Sequence, residues 1–288
     1  MVRTKRVALA GSFDNLRSKH LRLLEEASKW GEVRVWLWSD DAVQALAGHP
    51  PMFPEGERLY LLQAMRYVRD VSLVPGLLDP DALPAAAAGE TDLWVVEEAH
   101  DTRQKQAHAK SLGIEYRVLK EADLKGFPVP PFRTPAFDSG RKRVVVTGCY
   151  DWLHSGHVRF FEEASGLGDL FVVVGHDRNI KLLKGEGHPM FSEAERRYSV
   201  QAVKYVQQTL ISSGHAWMDA EPEAALIKPH IYVVNEDGDR PEKRDFCAAN
   251  GIEYVVLKRL PKDGLPNRQS TDLRGFQGRN AELDPQGG

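Results

Sequence analysis

Short apolar runs alternate along this chain with longer stretches of helical spacing. In its second half, residues 144–147, 170–174, 231–234 and 254–257 are brief, apolar and rich in β-branched side chains, the pattern of strands buried on both faces. Residues 158–164 carry helical spacing. Ser192-Glu-Ala-Glu195 has the capping-box spacing ahead of a periodic stretch that runs to Val206, and residues 240–250 form another before Gly251, a helix stop. Strands alternating with helices predict a parallel sheet covered on both sides. In such sheets ligands sit at the carboxyl ends of the strands, and the first strand-to-helix turn is the favoured place.

The pattern occurs twice. The chain aligns with itself at a shift of 137 to 138 residues. Gly11-Ser-Phe-Asp14 answers Gly148-Cys-Tyr-Asp151, Glu25-Glu-Ala-Ser28 answers Glu162-Glu-Ala-Ser165, and the eight residues from Gly113 answer those from Gly251. Between the copies, Gly126-Phe-Pro-Val-Pro-Pro131, then Pro135, forbid helix and predict an extended connector. The expected organisation is a first domain over residues 1–125, a linker over 126–142, a second domain over 143–275 and a loose, polar tail over 276–288.

Composition narrows the function classes. With 38 basic and 41 acidic side chains the net charge is −3, which gives no general attraction for nucleic acid or an anionic membrane. Any anionic ligand must be held locally. Cys149 and Cys247 are too few for a disulfide framework and fit a reducing, cytoplasmic setting. No apolar run approaches the ~18–20 residues that a membrane helix needs.

The chemistry concentrates in the first turn of copy two, Gly148-Cys-Tyr-Asp-Trp-Leu-His154-Ser-Gly-His157, directly after a strand and at the mouth of a helix. A helix N-terminus offers unpaired N–H groups and partial positive charge, so phosphates settle there. Gly156 allows close approach of backbone or ligand. His154 and His157, three residues apart, share one face of the first helical turn, where both can donate hydrogen bonds to phosphoryl oxygens.

This stretch is similar to the G-x-[FY]-D-x-x-H-x-G-H signature of the cytidylyltransferase-like nucleotidyltransferases. Lys181-Leu-Leu-Lys184-Gly with Pro189 and Arg196 resembles the family's lysine loop and the helix carrying its phosphate-facing arginine. Arg268-Gln-Ser270-Thr271 resembles its last signature. The resemblance implies an α/β fold of two tandem Rossmann-like, doubly wound parallel-sheet domains. It also implies transfer of a nucleoside monophosphate from a triphosphate to a small phosphorylated acceptor, a phospho-alcohol or sugar phosphate, with release of pyrophosphate and with Mg²⁺ accompanying the triphosphate. On that reading His154, His157 and Lys184 are catalytic. Gly148, Tyr150, Asp151, Gly156, Lys181, Arg196, Asn235, Asp237, Arg268, Ser270 and Thr271 hold the nucleotide, Asp151 by ordering the turn, and no side chains form a dedicated metal site.

Copy one differs at the phosphate-binding positions. Arg17 replaces His154 and Lys19 replaces Gly156; Gln44 and Ala47 stand opposite the two lysines; only His20 and Arg58 keep the places of His157 and Arg196. The first domain therefore reads as degenerate, a residual anion site at most. The two-copy layout resembles phosphoethanolamine cytidylyltransferase and implies pairing, as a homodimer or as an internal pseudo-dimer. CTP is the first choice of donor because the turn lacks the proline that many adenylyltransferases carry before the first histidine. ATP is the alternative, since Leu183-Lys-Gly185 and Ser270-Thr-Asp-Leu-Arg274 resemble adenylyltransferase motifs. Trp152 and Trp217 are candidates for an aromatic wall around the acceptor. A nucleotide-binding regulator without turnover is the reading from another class, set against the retained histidines and lysines. A synthetase fragment acting on tRNA also carries an H-x-G-H turn, but the chain has no basic surplus for RNA.

Overall fold

In a computed structural model, which describes residues 4–76, 79–133 and 139–273, the chain divides into two compact units, Met1–Phe127 and Pro128–Gly288. Unit 1 contains strands β1 (Lys5–Gly11), β2 (Gly31–Trp38), β3 (Val68–Val74), β4 (Leu93–Glu97) and β5 (Glu115–Leu119), with helices α1 (Ser18–Ser28), α2 (Asp40–Ala47), α3 (Glu55–Gln63) and α4 (Arg103–Ser111). Unit 2 repeats the plan with β6 (Arg143–Gly148), α5 (Ser155–Gly166), β7 (Asp169–Val174), α6 (Asp177–Lys184), α7 (Glu193–Gln201) and β8 (Val206–Ile211). It continues with α8 (Glu221–Ile227), β9 (Ile231–Asn235), α9 (Pro241–Ala249), β10 (Glu253–Leu257) and a last short helix, α10 (Ser270–Leu273).

Each unit is a five-stranded parallel sheet, ordered β3-β2-β1-β4-β5 in one and β10-β9-β6-β7-β8 in the other. The strand order reverses beside β1 and β6, which puts the crevice of each sheet at the turn leaving its first strand. The central strands are apolar because helices cover both faces: Val144, Val145 and Val146 are buried, as are Val172, Val173 and Val174. A further apolar cluster joins Phe171, Leu210, Tyr232 and Cys247, and Phe132 of the connector packs against it.

The expected strands and helices of copy two appear, with one correction. The helix that starts at Ser192, whose side chain accepts from the Glu195 N–H at 3.3 Å, ends at Gln201. Val206 opens β8 instead. Among the described strands β8 pairs only with β7, and its exposed Gln207 and half-buried Gln208 mask the strand pattern. The expected tail, part of the expected linker and Arg274 lie outside the described residues.

The two units share a buried scaffold down to single bonds. Asp14 and Asp151 accept from the backbone of Met52 and Phe53 and of Met190 and Phe191, respectively. Phe13 and Tyr150, in the same turns, both take a left-handed backbone, with φ of 44° and 53°. A non-glycine residue held there is strained. Retention of that strain in both units marks it as part of the shared architecture.

Candidate functional site

The turn after β6 delivers His154 as the N-cap of α5, where its Nδ1 accepts from the Gly156 N–H at 3.1 Å. One turn on, His157 stacks against it with ring centroids 3.8 Å apart. His154 is fully buried and His157 half-buried. Burial holds the His154 pKa well below its ordinary value, assisted by His157, Arg259 and Arg268. His157 is lowered to about 3, by burial first and then by Arg259 and Lys184, against a hydrogen bond with the Trp152 backbone. Both rings are thus neutral near pH 7. Because Nδ1 of His154 accepts, its proton sits on Nε2, and that buried donor has no partner among the described residues; neither has Nδ1 of His157. Orphaned polar nitrogens at a helix mouth invite a ligand oxygen.

Glycines shape the turn. A Cβ on Gly148 would meet the Tyr150 ring at 2.8 Å, and one on Gly156 would meet the His154 ring at 3.0 Å and the Arg268 carbonyl at 3.4 Å. Tyr150 is buried edge-on beneath His157, 5.2 Å between centroids, and acts as its floor. Asp151 is buried and clasps the turn to residues 190–191, accepting from the backbone N–H groups of Met190 and Phe191.

The segment from Lys258 to Gln269 runs beside the mouth of α5 as a strap: its Arg268 carbonyl lies against Gly156, and the charges of Arg259 and Arg268 act on His154. Arg259, which the sequence reading missed, ties it down: it pairs with Asp237 through Nη1 and donates from Nη2 to the Arg268 carbonyl at 3.2 Å. Lys262 adds an ion pair to Glu162 of α5 at 3.0 Å. Copy one has Glu121 opposite Arg259, and that reversal of charge was the signal available in the sequence. Beside the strap lies a cleft lined by Gly156, Arg159, Asn235, Arg259, Pro266 and Arg268, with about 10 Å³ of room, one water's worth. The histidines are not on the cleft wall.

Lys184, exposed at the end of α6, acts electrostatically on both His157 and Cys149. Lys181 turns away to Glu186 at 3.1 Å. Ser270 opens α10, half-buried; Thr271 lies on the same turn, its side chain outside the described residues.

Arg196 is a correction. It is 1% exposed, and its guanidinium donates to the carbonyls of Phe191, Cys149 and Gly175 and to Asp177. Arg58 makes the matching bonds to Phe53, Ser12, Trp38 and Asp40. With its donors so committed, Arg196 braces the loops and does not face phosphate, which explains why copy one keeps it. Trp152 is also excluded from any ligand wall, being 2% exposed and packed on Phe191. Trp217 remains 44% exposed, with the Arg240 guanidinium 4.8 Å above its ring.

A family model described as Cytidylyltransferase-like matches residues 8–119 and 145–237, one segment in each unit. A protein named FAD synthase from Aciduliprofundum boonei is 37% identical over 136 residues, 46% of this chain and 84% of its own length. Another FAD synthase, from Ferroglobus placidus, is 34% identical over 157 residues, 49% of this chain and 99% of that protein. The Bifunctional protein HldE of Pseudomonas syringae is 38% identical over 175 residues, which span 59% of this chain and 32% of that protein.

Proposed function

The chain belongs to the cytidylyltransferase-like family and is a nucleotidyltransferase, and from that premise we propose that unit 2 carries the transfer, joining a nucleoside monophosphate to a small phosphorylated acceptor. The observation behind this reading is the pair of buried imidazole nitrogens at the mouth of α5, without partners among the described residues and within electrostatic reach of Lys184, Arg259 and Arg268. An acceptor phosphate oxygen attacks the α-phosphorus, the bond to the bridging oxygen breaks, and pyrophosphate leaves with the charge. The nucleophile is already ionised near neutral pH, so no general base is required. Catalysis rests on holding two anions in line and stabilising the charge on the leaving group.

In this assignment the Nε2–H of His154 donates to a phosphoryl oxygen. An anion beside His157 opposes the burial that keeps that ring neutral, so phosphate binding favours proton uptake there. Lys184 and the strap arginines offset the triphosphate charge, and Ser270 meets its far end at the start of α10. The groups around the imidazoles are cations and neutral rings, which suit phosphate oxygens. Among the described residues no cluster of three carboxylate, histidine or cysteine side chains could hold a metal. Mg²⁺ carried on the triphosphate would offset phosphate charge there, beside Lys184 and the strap arginines. The cleft beside the strap has only about one water's worth of room, and a strap that moves aside would widen it for a nucleotide.

The relatives bear on the donor. FAD consists of a flavin mononucleotide joined to adenylate, so relatives named for its synthesis favour ATP over the CTP that the missing proline pointed to. For the acceptor we assign the ledge formed by Trp217 and Arg240, a flat ring beside a cation, which suits a phosphorylated planar molecule. The test is a pyrophosphate-release screen of the four nucleoside triphosphates against flavin mononucleotide, sugar phosphates and phospho-alcohols with Mg²⁺. ATP with an aromatic phosphate is expected to lead. Silence with every pair would overturn the proposal.

A further inference from the structure

Unit 1 keeps the crevice but not its chemistry. At the mouth of α1, Arg17 and Lys19 stand where unit 2 has His154 and Gly156, and Glu97, the last residue of β4, stands where unit 2 has Asn235 at the end of β9. The Glu97 carboxylate is 8% exposed. One oxygen lies 3.1 Å from Lys19 Nζ and the other 2.8 Å from His100 Nδ1. His20, in the place of His157, feels that carboxylate as its main opposing charge, and its Nδ1 accepts from the Arg17 N–H at 3.2 Å. An anion therefore already stands at the mouth of α1, and the chain itself supplies it.

We infer that unit 1 contains a masked anion site, in which the Glu97 carboxylate fills the place of a ligand phosphate and is held there by Lys19 and His100. A helix mouth with adjacent cations binds negative charge, and a side-chain carboxylate tethered a few ångströms away has a high effective concentration over any free anion. Burial opposes its ionisation, but the hydrogen bonds and charge of His100 and Lys19 outweigh burial and take its pKa down to about 2. The mask is thus charged at any ordinary pH. In unit 2 the same strand end bears the neutral amide of Asn235 on the cleft wall, so the strand end itself places no carboxylate there; the acidic side chain on that wall, Glu163, is paired with Arg159 at 2.7 Å. The charge at the end of the fourth strand decides whether each unit accepts an external anion. For unit 1 the inference stands on the ion pairs alone; only its extension to Asn235 rests on the function proposed for unit 2.

The test is calorimetric titration of the full chain with inorganic tripolyphosphate at low salt. The wild-type chain is expected to show no more than one site. Glu97→Gln, or Glu97→Asn if the first variant does not fold, gains one site over wild type, and adding Lys19→Ala removes the gained site. Asn235→Glu weakens the unit 2 site at least tenfold. Two sites in the wild type, or a folded Glu97 variant that gains none, would overturn the inference. A wild-type chain with no site and a Glu97 variant with one supports the mask while counting against the function proposed for unit 2.

Discussion

His154 and His157 are at odds with their ordinary protonation, and that sets two expectations. Removing one preorganised donor to transition-state charge costs about 10²–10³ in rate. His154→Ala and His157→Ala are therefore each expected to lower turnover by that order with the fold retained, as read by pyrophosphate release alongside circular dichroism. The second expectation concerns acid. His157 has a folded pKa of about 3 against an ordinary 6.5, so the unfolded chain binds its proton first as pH falls. Its contribution to unit 2 is complete above about pH 6.5 and is lost on acidification toward about 3. Glu97 behaves likewise in a lower window: with a folded pKa of about 2 against 4.5, it stabilises unit 1 above about pH 4.5 and loses that effect toward about 2. The gain is about 2–3 kcal/mol at neutral pH, held down because Lys19 and His100 are well exposed. Denaturant midpoints measured from pH 7 to 3 check both; His157→Gln should flatten the upper part of the slope and Glu97→Gln the lower.

Among the elements, the strand-to-helix turns and the strap separate scaffold from site. Arg58 and Arg196 each tie the first turn to the loop after the second strand through carbonyls and one carboxylate. A lysine cannot reproduce that planar fork. Arg58→Lys and Arg196→Lys are expected to destabilise their units similarly, by about 2–3 kcal/mol or more. If Arg196 instead served phosphate, its variant would lose binding with little loss of stability, and Arg58→Lys would be nearly silent. The strap carries a different expectation. Loosening it with Lys262→Ala, which leaves the imidazoles untouched, should speed nucleotide association in stopped-flow binding, since the Lys262–Glu162 pair opposes lifting. The strands of these turns were legible from their apolar runs. β8 was not, because an edge strand with one polar side resembles the end of a helix.

Taken whole, the molecule consists of two units with separate cores, and the residue changes above report on them one at a time. Calorimetry is expected to show two unfolding transitions, one moved by Arg58→Lys and the other by Arg196→Lys; a single transition moved equally by both would mean that the units unfold as one. The chain alone determined the duplication, the α/β architecture and the turn that carries the histidines, because these reside in apolar spacing and in motifs a few residues long. The folded arrangement decided the rest. Arg196 faces inward because its acceptors come from residues 5 to 47 positions away, Arg259 acts on the imidazoles because β10 lies beside β9, and the two rings are neutral because they are buried with cations from distant parts of the chain beside them. Direction, protonation and closure each depend on neighbours brought together only by folding, and no local pattern encodes them.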